Sequence, residues 1–232
     1  MIRGHALDLR CYVVTSGTGP RTVTAAAQAA GAGAGMVQVR VKDLPVRAML
    51  DFVAAVATAV EQANPTARTV VDDRADVVFA AMRRGIPVHG VHLGASDLPV
   101  RDAREMLGPD AIIGFTTGTL ELVRAAQRDV DVIDYLGAGP FRPTPTKDSG
   151  RPPLGVEGYP ALVRATALPI VAIGDVTPDD VPALASTGIA GVAMVRAVMS
   201  ADDPAGVVTR VLACFPEAGT RPSDTRTERI SP

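Results

Sequence analysis

Gln38, Arg40 and Lys42 occupy alternate positions of the segment Gln38-Val39-Arg40-Val41-Lys42. In an extended chain that spacing sends all three to one side. An amide, a guanidinium and an ammonium on one side can grip a diphosphate, with the guanidinium forking onto two oxygens. A strand whose polar side chains meet solvent or pair with helices is the other reading. A second cluster is Gly137-Ala138-Gly139-Pro140-Phe141-Arg142-Pro143-Thr144-Pro145-Thr146-Lys147. Its glycines admit close approach of backbone to a ligand, its prolines stiffen the loop, and Thr144, Thr146 and Lys147 supply donors suited to a phosphorylated substrate. An ordinary proline-rich turn is the alternative. Carboxylates follow in Asp72-Asp73-Arg74 and Gly94-Ala95-Ser96-Asp97. Brought together, Asp73 and Asp97 would hold Mg²⁺, with waters and phosphate oxygens completing the octahedron. Each is also placed to cap a helix, at 74 and at 99, and the two roles coexist. Asp72 alternates with Asp73 and so reads as facing outward.

These groups need a scaffold that gathers strand ends. Short apolar runs at Cys11–Thr15, Met36–Arg40, Arg68–Asp72, Gly90–Leu93, Ala111–Phe115, Val132–Ala138, Pro169–Ile173 and Gly191–Val195 alternate with helical stretches near 21–33, 46–63, 74–84, 99–107, 118–128, 156–166, 178–187 and 203–213. The alternation predicts a parallel sheet, and eight units in this length predict a single closed (β/α)8 TIM barrel spanning 9–214. A doubly wound open sheet is the alternative, disfavoured by the number of units. Pro45, Pro99 and Pro178 fall where helices should begin, with Asp43 and Thr177 as caps or near-caps. Gly188 stands where a helix should end. The polar stretch 217–232 reads as a disordered tail.

In such a barrel the site lies at the C-terminal ends of the strands, where the polar residues fall. Thr116 and Thr117 follow the fifth run, Gly174 the seventh, and Val195 with Arg196 the eighth. Gly174 allows close approach to a phosphate, and Arg196 adds charge or caps the rim. His89 and His92 flank the fourth run and read as satisfied core or rim histidines. No HExxH, GxSxG, Walker loop or dinucleotide fingerprint is present, so zinc proteolysis, serine hydrolysis and hydride transfer lack support.

Composition narrows the field further. A formal net charge of −2 carries no nucleic-acid footprint, so an anionic ligand must be held locally. No apolar run approaches a membrane span and no secretory leader is evident. Cys11 and Cys214 form neither a metal spacing nor a disulfide framework, which fits a reducing cytoplasm. Oligomeric state is left open, with a homo-oligomer allowed.

Five segments in order, each at a strand end, resemble the thiamine-phosphate synthase family: Gln38–Lys42, Asp72–Asp76, Val91–Gly94 with Asp97-Leu98-Pro99, Gly139-Pro140 with Pro143–Lys147, and Val171–Gly174. The resemblance runs from about Cys11 to Ala213. It implies a Mg²⁺-dependent transferase joining a pyrimidine methyl diphosphate to a thiazole phosphate, with release of pyrophosphate. It assigns Gln38, Arg40 and Lys42 to the pyrimidine diphosphate, Asp72 and Thr116 to the pyrimidine, and Mg²⁺ to Asp73 and Asp97. It places Thr144 and Thr146 on the thiazole phosphate side and Lys147 on the diphosphate, with Gly174, Val195 and Arg196 cradling the thiazole phosphate. Arg40, Lys42 and Lys147 would be the catalytic cations. Some positions depart from the usual pattern: Asp72 stands for asparagine, Val41 for an acidic residue, Thr116-Thr117-Gly118 for a serine-containing stretch, Asp175 for the second glycine of a pair, and Arg196 for serine. A thiazole tautomerase and a non-catalytic binder of pyrimidine or thiazole phosphates are the alternatives.

Overall fold

The computed structural model describes residues 7–143 and 150–216. The expected tail, 217–232, lies outside these residues, as do Thr144, Thr146 and Lys147. The eight apolar runs become strands β1 (Cys11–Val14), β2 (Met36–Val39), β3 (Arg68–Asp72), β4 (Gly90–Leu93), β5 (Ile112–Thr117), β6 (Tyr135–Ala138), β7 (Ile170–Ile173) and β8 (Gly191–Met194). All pair in parallel with their sequence neighbours, and β8 returns to β1, so the sheet closes into a barrel. Closure leaves each strand with one side toward the helices and one toward the lumen, which is why the runs are almost continuously apolar.

The helices are α1 (Pro20–Gly31), α2 (Val46–Ala63), α3 (Ala75–Arg83), α4 (Val100–Leu107), α5 (Leu120–Ala126), α6 (Gly155–Arg164), α7 (Val181–Ala185), α8 (Arg196–Met199) and α9 (Pro204–Leu212). Alanine sets the spacing of the outer layer: Ala25, Ala26, Ala29 and Ala30 of α1 are all buried. A methyl group at each contact lets the helix sit close to its neighbours without loss of packing density.

Several boundaries differ from expectation. Pro45 and Pro99 stand at the cap position itself, one residue before their helices, and neither end has a side-chain cap. Asp43 and Asp97 therefore do not cap α2 and α4. Asp73 does not cap α3 either, since Arg74 is the cap residue. Thr177 does cap: it and Asp180 form a reciprocal capping box over a 3₁₀ turn at Pro178–Asp180 that precedes α7. The short helix α8 was not legible, because Val195-Arg196 reads as the end of a strand.

Two apolar cores result. The larger fills the space between strands and helices, and the smaller fills the lumen with Leu9, Tyr12, Val14, Met36, Val70, Ile112, Tyr135, Val171 and Ala193. Inward residues alternate along each strand and stack in layers that plug the N-terminal half of the barrel. At the base of β4 the ring of His89 accepts the Thr69 backbone N–H on Nδ1 at 3.0 Å. Burial, with the Arg68 guanidinium nearby, pushes its pKa down from 6.5 to about 4. A histidine that folds neutral stabilises the chain fully above 6.5, and that contribution is lost as pH falls toward 4. The carboxyls of Asp76 and Asp180, held below their usual 3.8, act only in a more acidic window. In urea titrations across pH 6.5 to 4, His89→Gln is expected to flatten the acid-side fall in midpoint. An unchanged slope would remove His89 as its cause.

Candidate active site

The strands end in a cavity of about 630 Å³ that opens at their C-terminal face. Its walls come from every strand or strand-end loop, so the site exists only in the closed barrel. Gln38, Arg40, Asp72, Thr116, Gly174, Val195 and Arg196 all line it. Lys42 does not. The strand stops at Val39 because the Arg40 amide turns to donate to Thr15 Oγ1 at 2.9 Å, and Lys42 follows on an exposed bend.

Asp72 corrects the outward reading. Its carboxylate lies in the cavity, accepts from the Gln38 side-chain amide, and forms an ion pair with Arg40 Nε at 3.3 Å. Asp73 makes the turn instead, in the left-handed region at φ 62°. Its backbone N–H donates to the His92 carbonyl at 2.9 Å, which ties the end of β3 to β4.

Below these charges lies a polar floor that the sequence did not reveal. The Tyr12 hydroxyl donates to Gln38 Oε1 at 2.7 Å and lies 2.7 Å from the Tyr135 hydroxyl. Tyr135 in turn lies 3.0 Å from His92 Nδ1, and His92 Nε2 lies 2.9 Å from Thr116 Oγ1. The two phenol rings meet edge to face at 5.7 Å, and His92 stacks on Tyr135 at 5.5 Å. Burial pushes both phenols well above their usual pKa of 10, so each keeps its proton. His92 is satisfied, as expected, and its ring lines the cavity. The usable signal was weak: Tyr12 and Tyr135 are two of only three tyrosines, both at inward positions of apolar strands. Gly114 makes room for them, since a Cβ there would sit 2.2 Å from Tyr135 Cζ and 2.5 Å from His92 Nδ1.

The opposite wall is set by a close approach of backbone to backbone. Gly174, at φ 113°, brings its backbone against Pro140, where a Cβ would lie 2.6 Å from the Pro140 Cα. Asp175 follows in the left-handed region at φ 59°, which is the conformation that makes glycine the easier residue there. Its carboxylate pairs with Arg196, and its carbonyl accepts from Arg142 at 3.1 Å. Arg151 was not foreseen; it lines the cavity and donates to the Thr117 carbonyl at 2.5 Å.

For a metal, the donor chemistry matters. Asp73 and Asp97 stand beyond the adjacent ends of β3 and β4, and Asp97 accepts the Gly94 N–H at 2.6 Å. Among the described residues no group of three or more His, Cys, Asp or Glu could hold a metal by itself. Two hard oxygen donors do fit Mg²⁺, which keeps most of its shell for water and phosphate.

A closed parallel barrel with fixed donors and cations gathered at its C-terminal mouth defines a (β/α)8-barrel enzyme site. Comparison narrows the class. A family model described as thiamine monophosphate synthase matches residues 11–198, and the chain belongs to that family. It is 56% identical over 211 residues to the thiamine-phosphate synthase of Corynebacterium efficiens, covering 90% of this chain and 96% of that one. It is 55% identical over 216 residues to that of Corynebacterium jeikeium, covering 93% and 99%. Its fold is similar to thiamine phosphate pyrophosphorylase from Pyrococcus furiosus, with TM-score 0.77 and 31% identity over 90% of this chain and 96% of that one.

Gly114→Ala is expected to lower unfolding free energy by about 1–3 kcal/mol through overpacking. It should also shift the Tyr135 and His92 side-chain resonances. A variant of wild-type stability with unmoved resonances would show that the floor does not need that space.

Proposed function

We propose that the chain is a thiamine-phosphate synthase, condensing the pyrimidine methyl diphosphate with the thiazole phosphate and releasing pyrophosphate. The observation that carries this reading, beyond family membership, is one cavity lined by Arg40, paired with Asp72, and by Arg196, paired with Asp175. Two phosphorylated substrates need two anion sites facing one reaction space.

Arg40 holds the diphosphate from β2, joined by Lys147, which the sequence places in the loop after β6, and by Lys42 from the exposed bend. Asp73 and Asp97 would hold Mg²⁺, which would supply positive charge against the leaving pyrophosphate. The bond from the pyrimidine methylene to the diphosphate oxygen breaks with its electron pair leaving on pyrophosphate. The thiazole nitrogen then donates its lone pair to the methylene, forming the C–N bond. Asp72 and Thr116 hold the pyrimidine above the polar floor. Thr144, Thr146, and the backbone of Gly174, Val195 and Arg196 receive the thiazole phosphate. No protein nucleophile is required, so fixed cations and positioning supply the rate. The acting domain is 9–214. Cytoplasmic residence belongs to the same reading: Cys11 and Cys214 are both free thiols, and no helix among the described residues is long and apolar enough to cross a membrane.

Purified protein should release pyrophosphate only with both substrates and Mg²⁺ present, with thiamine phosphate accumulating. Lys147→Ala and Asp73→Ala should each lower kcat by about 100-fold or more; wild-type rates in both would overturn the mechanism. Release of no pyrophosphate by the wild-type protein would overturn the reading itself.

Asp175 gives a second test. Removing its carboxylate takes an anion from the phosphate wall and releases Arg196. Asp175→Gly should therefore lower the KM for the thiazole phosphate by about three- to tenfold, as expected for a charge interaction near the surface. A raised KM would mean that the ion pair itself shapes the phosphate site.

A further inference from the structure

The polar floor is one continuous chain of hydrogen bonds: Arg40, Asp72, Gln38, Tyr12, Tyr135, His92, Thr116. It draws on six strands, and its proton order can be worked out from one end. Asp72, ion-paired with Arg40, is a carboxylate and only accepts. The Gln38 group facing it must therefore be the NH₂, which turns Gln38 Oε1 toward Tyr12. Oε1 only accepts, so Tyr12 spends its single proton there. Tyr135 must then donate to the Tyr12 oxygen, and its own oxygen can only accept from His92. His92 Nδ1 must carry a hydrogen. In the neutral ring Nε2 is then bare, and it accepts the proton of the Thr116 hydroxyl.

We propose that Asp72 is a positioning residue whose ion pair with Arg40 sets the direction of this whole chain, holding His92 as the Nδ1–H tautomer and Thr116 as a hydroxyl that offers the cavity acceptor lone pairs only. A ligand seated against Thr116 must then bring an N–H or O–H donor. Resting on the functional reading above, that donor is the exocyclic amine of the pyrimidine, and a pyrimidine with a carbonyl in its place is rejected. Asparagine at position 72 would reverse the order. Its oxygen would turn to Arg40, its NH₂ would face Gln38, and every proton down the chain would flip, leaving His92 as Nε2–H and Thr116 free to donate.

The test is the ¹⁵N spectrum of histidine-labelled full-length protein at neutral pH. The chain has three histidines, assigned with His5→Gln and His89→Gln. His89 is an internal reference of opposite type, because its Nδ1 accepts the Thr69 N–H and its proton belongs on Nε2. The expected result is Nδ1–H for His92 in the wild-type protein and Nε2–H in Asp72→Asn. Nε2–H, an averaged tautomer or an imidazolium in the wild type would overturn the proposal, and so would an unchanged tautomer in folded Asp72→Asn. These spectra need no substrate, so they stand apart from the functional reading. Binding of the aminopyrimidine methyl monophosphate and its 4-oxo counterpart then tests selection. The wild type should prefer the amine, and Thr116→Val should cut that preference by about tenfold. An undiminished preference in Thr116→Val would overturn the selection step. Nδ1–H with no pyrimidine bound would support the hydrogen-bond order and count against the functional reading.

Discussion

Everything at the mouth of this barrel depends on one constraint: polar groups drawn into a closed sheet must satisfy one another. Gln38 and the hydroxyls of Tyr12 and Tyr135 are buried, and an unpaired polar group there would cost roughly 1–3 kcal/mol. They pair across strands, and the pairing fixes the rotamers of the side chains above them. Rigid placement of Thr116 and Arg40 is thus a result of burial in the layer below. The lumen is apolar at its base and polar at its mouth, and the boundary between the two falls at the tyrosines.

The fold was legible because its code is periodic and repeated. Eight apolar runs of strand length, separated by helical stretches, admit few arrangements, and β3 and β4 appear with the bounds expected of them. Strand ends were less legible. β2 stops short because Thr15, from a neighbouring loop, captures the Arg40 amide, and no feature of residues 36–42 encodes that event. The same long-range capture moves Lys42 off the axis that alternation predicts.

At the site, residues with unusual chemistry for their position stood out: cations on a barrel strand, and glycines where a strand meets a loop. Residues whose chemistry emerges only from company did not. Tyr12 looks like a core aromatic, His92 like a rim histidine, and Gly114 like a packing gap. Their meaning lies in the register that sets β4, β5 and β6 side by side and in the closure that brings Tyr12 of β1 against Tyr135 of β6. Asp72 was misread for a related reason. Simple alternation puts it opposite Asp73, which is correct, but the turn at Asp73 reassigns which of the two faces the lumen.

The Asp175–Arg196 pair joins the loop after β7 to the start of α8. It is open to solvent on the arginine side, whereas the hydroxyls of Tyr12 and Tyr135 meet inside the barrel. Dissolved salt therefore reaches the rim of the cavity and not its floor.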